Sequence, residues 1–188
     1  MNDKTPSISV VMATYNRNSA LRGLLESLNR QSLSPELFEV VVCDDGSEPP
    51  ADTATLNFVS DYNLHLLRQN NRGAAAARHN AISHAKGDII VIIDDDMEVE
   101  SDFLSQHLRA HEMGADVVVG QIKAPRGQKK LPLYERFHIK QHENLSISAR
   151  SGEPIHGNAL STGNVSFKRE LYLEVGGFDP AFKQADEQ

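Results

Sequence analysis

The sequence predicts an α/β fold with a mostly parallel central sheet covered by helices. Over the first 120 residues, short apolar runs alternate with stretches of helical periodicity. The apolar runs end in polar residues, as strands do when their carboxyl ends face a ligand crevice. The chain of 188 residues, 39% hydrophobic and 24% charged, is long enough for one core of ordinary globular composition.

Each element can be justified in order. "SISVVM" (Ser7–Met12) is a predicted strand, and Leu21, Leu24, Leu25 and Leu28 in "NSALRGLLESLNRQ" make an apolar helical stripe. "FEVVVCDDGS" is a second strand running into acid and a Gly-Ser turn, and "NLHLLRQ" is a third. "GAAAARHNAISHAKG" is an alanine-rich helix with a glycine at each end, whose alanines suit close packing on a sheet. It lacks the spacing and the lysine of a P-loop. "DIIVIIDDD" is the fourth strand, a helix starts near Ser101, and "ADVVVG" is the fifth strand. From about Lys123 the rhythm changes. A basic loop, "KAPRGQKKLP", precedes a potential helix in "LYERFHIKQHENL"; a glycine-rich turn, a short strand and a short helix follow. We read these as a subdomain appended to the same fold.

The bulk numbers exclude several classes. A net charge of −7 argues against nucleic acid as the main partner. The longest aliphatic run, Ile89–Ile93, is far short of a membrane span, and the N-terminus lacks a signal peptide's apolar stretch. The lone cysteine, Cys43, sits among valines and is expected to be an inert core thiol in a cytoplasmic protein. His107 and His111, like His138 and His142, stand four apart, but no third zinc ligand accompanies either pair. Exposed helix histidines are the expectation for both, and His156 is a candidate substrate contact.

Thr14, Tyr15, Asn16 and Arg17 follow the first strand, Asp44 and Asp45 the second, and Asp94, Asp95 and Asp96 the fourth. Two carboxylates ~4 Å apart repel by ~4 kcal/mol at an effective dielectric of ~20. Such a cluster must therefore be solvated or neutralised. A solvated strand end is one reading; a hard divalent cation, magnesium or manganese, is the sharper one.

Five segments in order, "SVVMATYNR", "VVVCDDGS", "NNRGAAAARHNA", "AKGDIIVIIDDDMEV" and "STGNVSFKRELYLEVGGFDPAF", make the chain resemble family 2 glycosyltransferases with the GT-A fold. The resemblance implies one catalytic domain over 1–188: a nucleotide-sugar-binding half at 1–120 and a partial, truncated acceptor-side half at 121–188. It implies an inverting transfer from a nucleotide-diphosphate sugar, with UDP-sugar the expected donor, to a hydroxyl of a saccharide or lipid-linked saccharide. Ala13, Thr14, Tyr15 and Arg17 would wrap the base, and Asp45 would bond its edge. Arg72 and Arg78 would lie against the nucleotide or the acidic site. Asp94 and Asp96 fall on the Asp-x-Asp motif as ribose contact and metal ligands, with Asp95 grouped among the donor-binding residues. Gly163 and Asn164 would line the sugar and acceptor side. The general base would be Glu187, with Asp186 as the alternative, because this chain reverses the family's Glu-Asp pair. His79 also departs from the family, which places Asn there.

The glycine-free "ATYNRN" argues against a nucleotidyltransferase, and a receiver-like module would leave the acidic triplet unexplained. A nucleotide-sugar-binding module without turnover is the alternative function. The basic loop from Lys123 to Lys130 is either a solvated surface or a contact with an anionic acceptor or with the inner face of the membrane.

Overall fold

A computed structural model describes residues 5–123, 132–133, 136–137, 139–141, 143–144 and 162–178. Its centre is a six-stranded sheet of order β3-β2-β1-β4-β6-β5. The strands are β1 (Ile8–Thr14), β2 (Phe38–Asp44), β3 (Asn63–Arg68), β4 (Ile89–Ile93), β5 (Val117–Val119) and β6 (Asn164–Lys168). β1 pairs in parallel with β2 and β4, and β2 with β3. β6 runs antiparallel to both β4 and β5. The helices are α1 (Asn18–Leu28), α2 (Thr53–Leu56), α3 (Ala74–His84), α4 (Phe103–Glu112) and α5 (Arg169–Glu174). Described residues between 133 and 144 are helical, as "LYERFHIKQHENL" suggested.

The unbroken aliphatic run of β4, and the largely aliphatic middles of β1 and β2, match burial on both faces. Val10, Met12, Val40, Val42, Val91 and Ile93 pack on one face with Leu21, Leu24, Leu25 and Leu28 of α1 and Leu104 of α4. The alternate residues Val11, Val41, Cys43, Ile90 and Ile92 pack on the other with Ala77, Ala81 and Ile82 of α3 and Tyr172 of α5. Ala77 and Ala81 of α3 are fully buried, as close packing on the sheet requires. Burial pushes the Cys43 thiol up to about 11, so it stays protonated within the core.

The amino ends of the strands hold a second polar arrangement. Glu39, 1% exposed, accepts hydrogen bonds from Ser9 Oγ and from the Lys86 backbone N–H, both at 2.6 Å. Gly87 N–H donates to Ser9 Oγ at 2.8 Å. A Cβ at Gly87 would stand 2.6 Å from the backbone of Ile8 and Ser9, so only glycine lets α3's exit pass that close to β1.

One expectation about topology is refined. "ADVVVG" forms a strand, but it lies at the sheet edge beyond β6. The chain therefore adds an antiparallel pair to a four-stranded parallel sheet, which remains mostly parallel.

Candidate active site

The carboxyl ends of β1, β2 and β4 lie on one side of the parallel sheet, and the loops that leave them are laced together. Asn16, with φ of 56°, turns the chain out of β1 in the left-handed region that asparagine tolerates. Its backbone N–H donates to Ser47 Oγ at 2.8 Å, and its Oδ1 accepts from Glu48 N–H at 2.9 Å. These bonds fix the Tyr15–Arg17 turn on the loop after β2 and leave Tyr15 half exposed.

The acidic triplet lies in the turn that leaves β4 and divides by burial. Asp95 turns inward and is 5% exposed; it accepts from Thr14 Oγ1 at 2.6 Å and from Arg17 Nη1 at 3.3 Å. Burial raises its pKa, opposed by the Thr14 bond and the Arg17 charge. Asp94 and Asp96 reach solvent, with side chains 40% and 51% exposed. Arg78, buried on α3, donates to Asp94 Oδ1 at 2.8 Å, and Arg17 reaches Asp96 Oδ2 at 3.0 Å. Two guanidinium groups thus offset the three carboxylates.

Asp44 and Asp45 serve the neighbouring loops. Asp44 accepts from the backbone N–H groups of Ser47 and Ala51, at 2.8 and 3.0 Å, and from Arg68 Nη1 at 3.2 Å. Asp45 accepts from Gln69 Nε2 at 2.7 Å and from the backbone N–H groups of Arg72 and Gly73, at 2.9 and 2.8 Å. It therefore holds the entry to α3, where an anion meets free N–H groups and the positive end of the helix dipole. Arg72 contributes its main chain there and exposes its side chain.

Asn164 opens β6, and Gly163 lies in the turn just before it. Asn164 stands in register with Ile93, the residue before Asp94, so the segment entering β6 lies beside the acidic strand end. The Asn164 side chain, 7% exposed, faces α4, with Oδ1 3.0 Å from His107 Nε2 and Nδ2 3.4 Å from the Gln121 carbonyl. His107 and His111 are 3% and 7% exposed. The expectation that this pair is exposed is therefore corrected: both rings sit on the covered face of α4 and find polar partners on β6. The i,i+4 spacing was visible in the sequence. Leu104 precedes His107 by three residues on the same face, and that stripe was the signal for burial.

Asp186 and Glu187 lie outside the described residues, as do His138, His142, His156 and the basic residues 124–130. Among the described residues, no group of three or more His, Cys, Asp or Glu is placed to hold a metal. The donor set nevertheless fits a magnesium- or manganese-type ion. Asp94 and Asp96 are hard, solvent-reaching carboxylates, and such ions commonly take one or two carboxylates with water and substrate phosphate. No helix among the described residues is long and apolar enough to cross a membrane.

With this geometry in view, the family model "Glycosyl transferase family 2" matches residues 9–175. The chain belongs to that family. The glucosyl-dolichyl phosphate glucuronosyltransferase of Haloferax volcanii is 31% identical over 179 residues, covering 92% of this chain and 56% of that protein. TarS of S. aureus (residues 1–349) superposes with a TM-score of 0.70 at 22% identity, over 95% of this chain and 52% of that one. Its complex with UDP-GlcNAc matches at 0.57 and 27% identity, over 67% and 37%. The mannosyltransferase PcManGT of Pyrobaculum calidifontis, in complex with GDP-Man and Mn2+, matches at 0.65 and 25% identity, over 95% and 49%. The sheet flanked by helices is thus the GT-A fold of family 2. The chain spans between 33% and 58% of the length of the first four curated relatives.

Proposed function

We propose that this chain carries the donor-binding and catalytic part of an inverting, metal-dependent glycosyltransferase. It would move a sugar from a nucleotide diphosphate, with UDP-sugar the expected donor, to a hydroxyl of a saccharide or lipid-linked saccharide. The observation that carries this reading is the end of β4, where two solvent-reaching carboxylates flank a buried third and two arginines stand against them. The neighbours solved with UDP-GlcNAc and with GDP-Man and Mn2+ support the same class of donor.

In this reading residues 1–120 bind the donor and 121–188 form part of the acceptor side. The Ala13–Arg17 turn and Asp45 hold the nucleotide. Asp45 accepts three hydrogen bonds, and a carboxylate offers about four lone-pair sites, which leaves capacity for the edge of a base. Asp94 and Asp96 would hold a magnesium or manganese ion, which when bound offsets charge on the diphosphate. Asp95, locked by Thr14, fixes the direction in which its neighbours project. Arg17 and Arg78 provide positive charge where the leaving diphosphate gathers negative charge, and such groups act most strongly when fixed in advance. Glu187, or else Asp186, accepts the proton of the attacking hydroxyl, a role worth about 10²–10⁴-fold in rate. Holding donor and acceptor together supplies the orientation.

Release of nucleotide diphosphate from a panel of nucleotide sugars, with manganese and simple saccharide acceptors, tests the reading. Acceptor-dependent release from one donor is expected. Tight nucleotide binding without release under any acceptor would favour the binding module. The contact at the inner membrane face follows only if vesicles of anionic lipid retain the chain through its basic loop.

A further inference from the structure

Four polar side chains form a buried line between α4 and β6. His111 Nδ1 is 2.7 Å from the Ala115 carbonyl, and His111 Nε2 is 2.8 Å from Ser166 Oγ. Ser166 Oγ is 2.7 Å from His107 Nδ1, and His107 Nε2 is 3.0 Å from Asn164 Oδ1. Ser166 is fully buried and the rings nearly so. A Cβ at Gly120 would meet the Asn164 amide at 2.2–2.4 Å, so a glycine there makes room for the last member.

Counting protons fixes the direction of this line. The Ala115 carbonyl can only accept, so His111 Nδ1 carries a proton. Asn164 Oδ1 can only accept, so His107 Nε2 carries one too. With both rings neutral and the Asn164 amide in this orientation, His111 Nε2 and His107 Nδ1 would then both need the single hydroxyl proton of Ser166. One of them would face an oxygen lone pair, a costly arrangement inside a protein. One further proton, on His111, resolves it. His111 then donates to Ser166, Ser166 to His107, and His107 to Asn164, with every group satisfied.

We propose that His111, acting through Ser166 and His107, is a proton-controlled positioning device for Asn164. When His111 loses its proton the line reverses. Ser166 then donates to His111, the His107 proton moves from Nε2 to Nδ1 and points at Ser166, and the Asn164 amide turns so that Nδ2 donates to His107. Asn164 Oδ1 then faces the Gln121 carbonyl in place of the amide that donated to it. One proton on α4 thereby sets which atom of the Asn164 amide, at the start of β6, faces His107 and which faces Gln121.

The surroundings suit neutrality on His107. Burial pushes His107 down to about 4, with the neighbouring His111 charge acting in the same direction. The edge of the Phe103 ring lies 4.9 Å from His107. Asp116, paired with Lys168 at 2.7 Å, interacts electrostatically with His111, while Arg109 and Glu112 of α4 are exposed. β4 presents aliphatic Val91 and Ile93 on this face.

The effect on transfer rests on the proposed reading that the start of β6 lines the sugar side; the device itself does not. Nitrogen-15 spectra of the histidine-labelled chain across pH test it directly. His107 is expected to stay neutral while its proton moves from Nε2 to Nδ1, with the midpoint of His111's own titration. In Ser166→Ala the His107 tautomer should no longer follow His111. A His107 tautomer fixed throughout the wild-type titration overturns the proposal, whether or not the variant folds. In a working transfer assay, kcat should break at the same midpoint in the wild type and lose that break in Ser166→Ala. A kcat flat through a midpoint at which the tautomer moves overturns the positioning role. Absence of any transfer would count against the proposed activity, and the spectra would still decide the device.

Discussion

Thr14 and Asp95 share a 2.6 Å hydrogen bond that ties the last residue of β1 to the inward member of the acidic triplet on the adjacent strand's exit. The bond explains how three consecutive carboxylates persist at a strand end. One is taken into the protein and held by a hydroxyl and a guanidinium, and its neighbours are left facing outward. Thr14→Val keeps the shape and removes the donor, and should cost about 1–3 kcal/mol in denaturant unfolding.

The sign of its pH dependence follows from Asp95. Burial raises the folded pKa above the unfolded value, so Asp95 supports the fold best when protonated and loses that support as pH rises. Thr14 counteracts this by favouring the ionised form. The deficit of Thr14→Val should therefore grow as pH climbs through the folded pKa of Asp95. A deficit that shrinks with rising pH would contradict the assignment.

His107 gives the opposite slope. Its folded pKa of about 4 lies below the usual value of 6.5, so the unfolded chain takes up a proton first as pH falls. Stability from this group is complete above about 6.5 and lost progressively down to about 4. At 1.36 kcal/mol per pH unit the loss is on the order of 3 kcal/mol. Urea unfolding from pH 7 to 4 should show a smaller loss in His107→Gln than in the wild type.

Much of the fold was legible because its signals are local. Aliphatic runs ending in polar residues are read one strand at a time, and so the carboxyl-end placement of Thr14, Asp45 and Asp94–Asp96 was visible. The edge position of β5 was not, because strand order is decided by pairing with β6, some forty residues away and beyond any local pattern. The burial of His107 and His111 was hidden for the same reason: their partners, Asn164 and Ser166, lie more than fifty positions on. Alternation within "GNVSF" did put those two partners on one face of a strand. The donors that Asp45 holds, Gln69 and the N–H groups before α3, were likewise invisible from its own segment.

Gly87 tests the packing account at the far end of the strands. Gly87→Ala forces a methyl group to 2.6 Å from backbone atoms that cannot yield. It should cost on the order of 3 kcal/mol, read as a lowered denaturation midpoint. Gly23→Ala, inside α1 with nothing within 4 Å, should instead raise stability by up to about 1 kcal/mol and serves as the contrast.

The identity of the general base separates by charge-neutral substitution. Glu187→Gln is expected to lower kcat by about 10²–10⁴-fold while donor affinity stays within a few-fold. Asp186→Asn should act weakly. The reverse order would move the base to Asp186.

The central claim is that the exposed carboxylates at the end of β4 hold a divalent ion that in turn holds a diphosphate. Thermal shift with nucleotide diphosphates, with and without manganese, in wild type and Asp96→Ala tests it most directly. At about 100 times the dissociation constant, a ligand adds about 2.7 kcal/mol of stability. The account predicts manganese-dependent stabilisation in the wild type that is absent in an otherwise folded Asp96→Ala. Equal stabilisation of both proteins, or none of the wild type by any nucleotide, would contradict it.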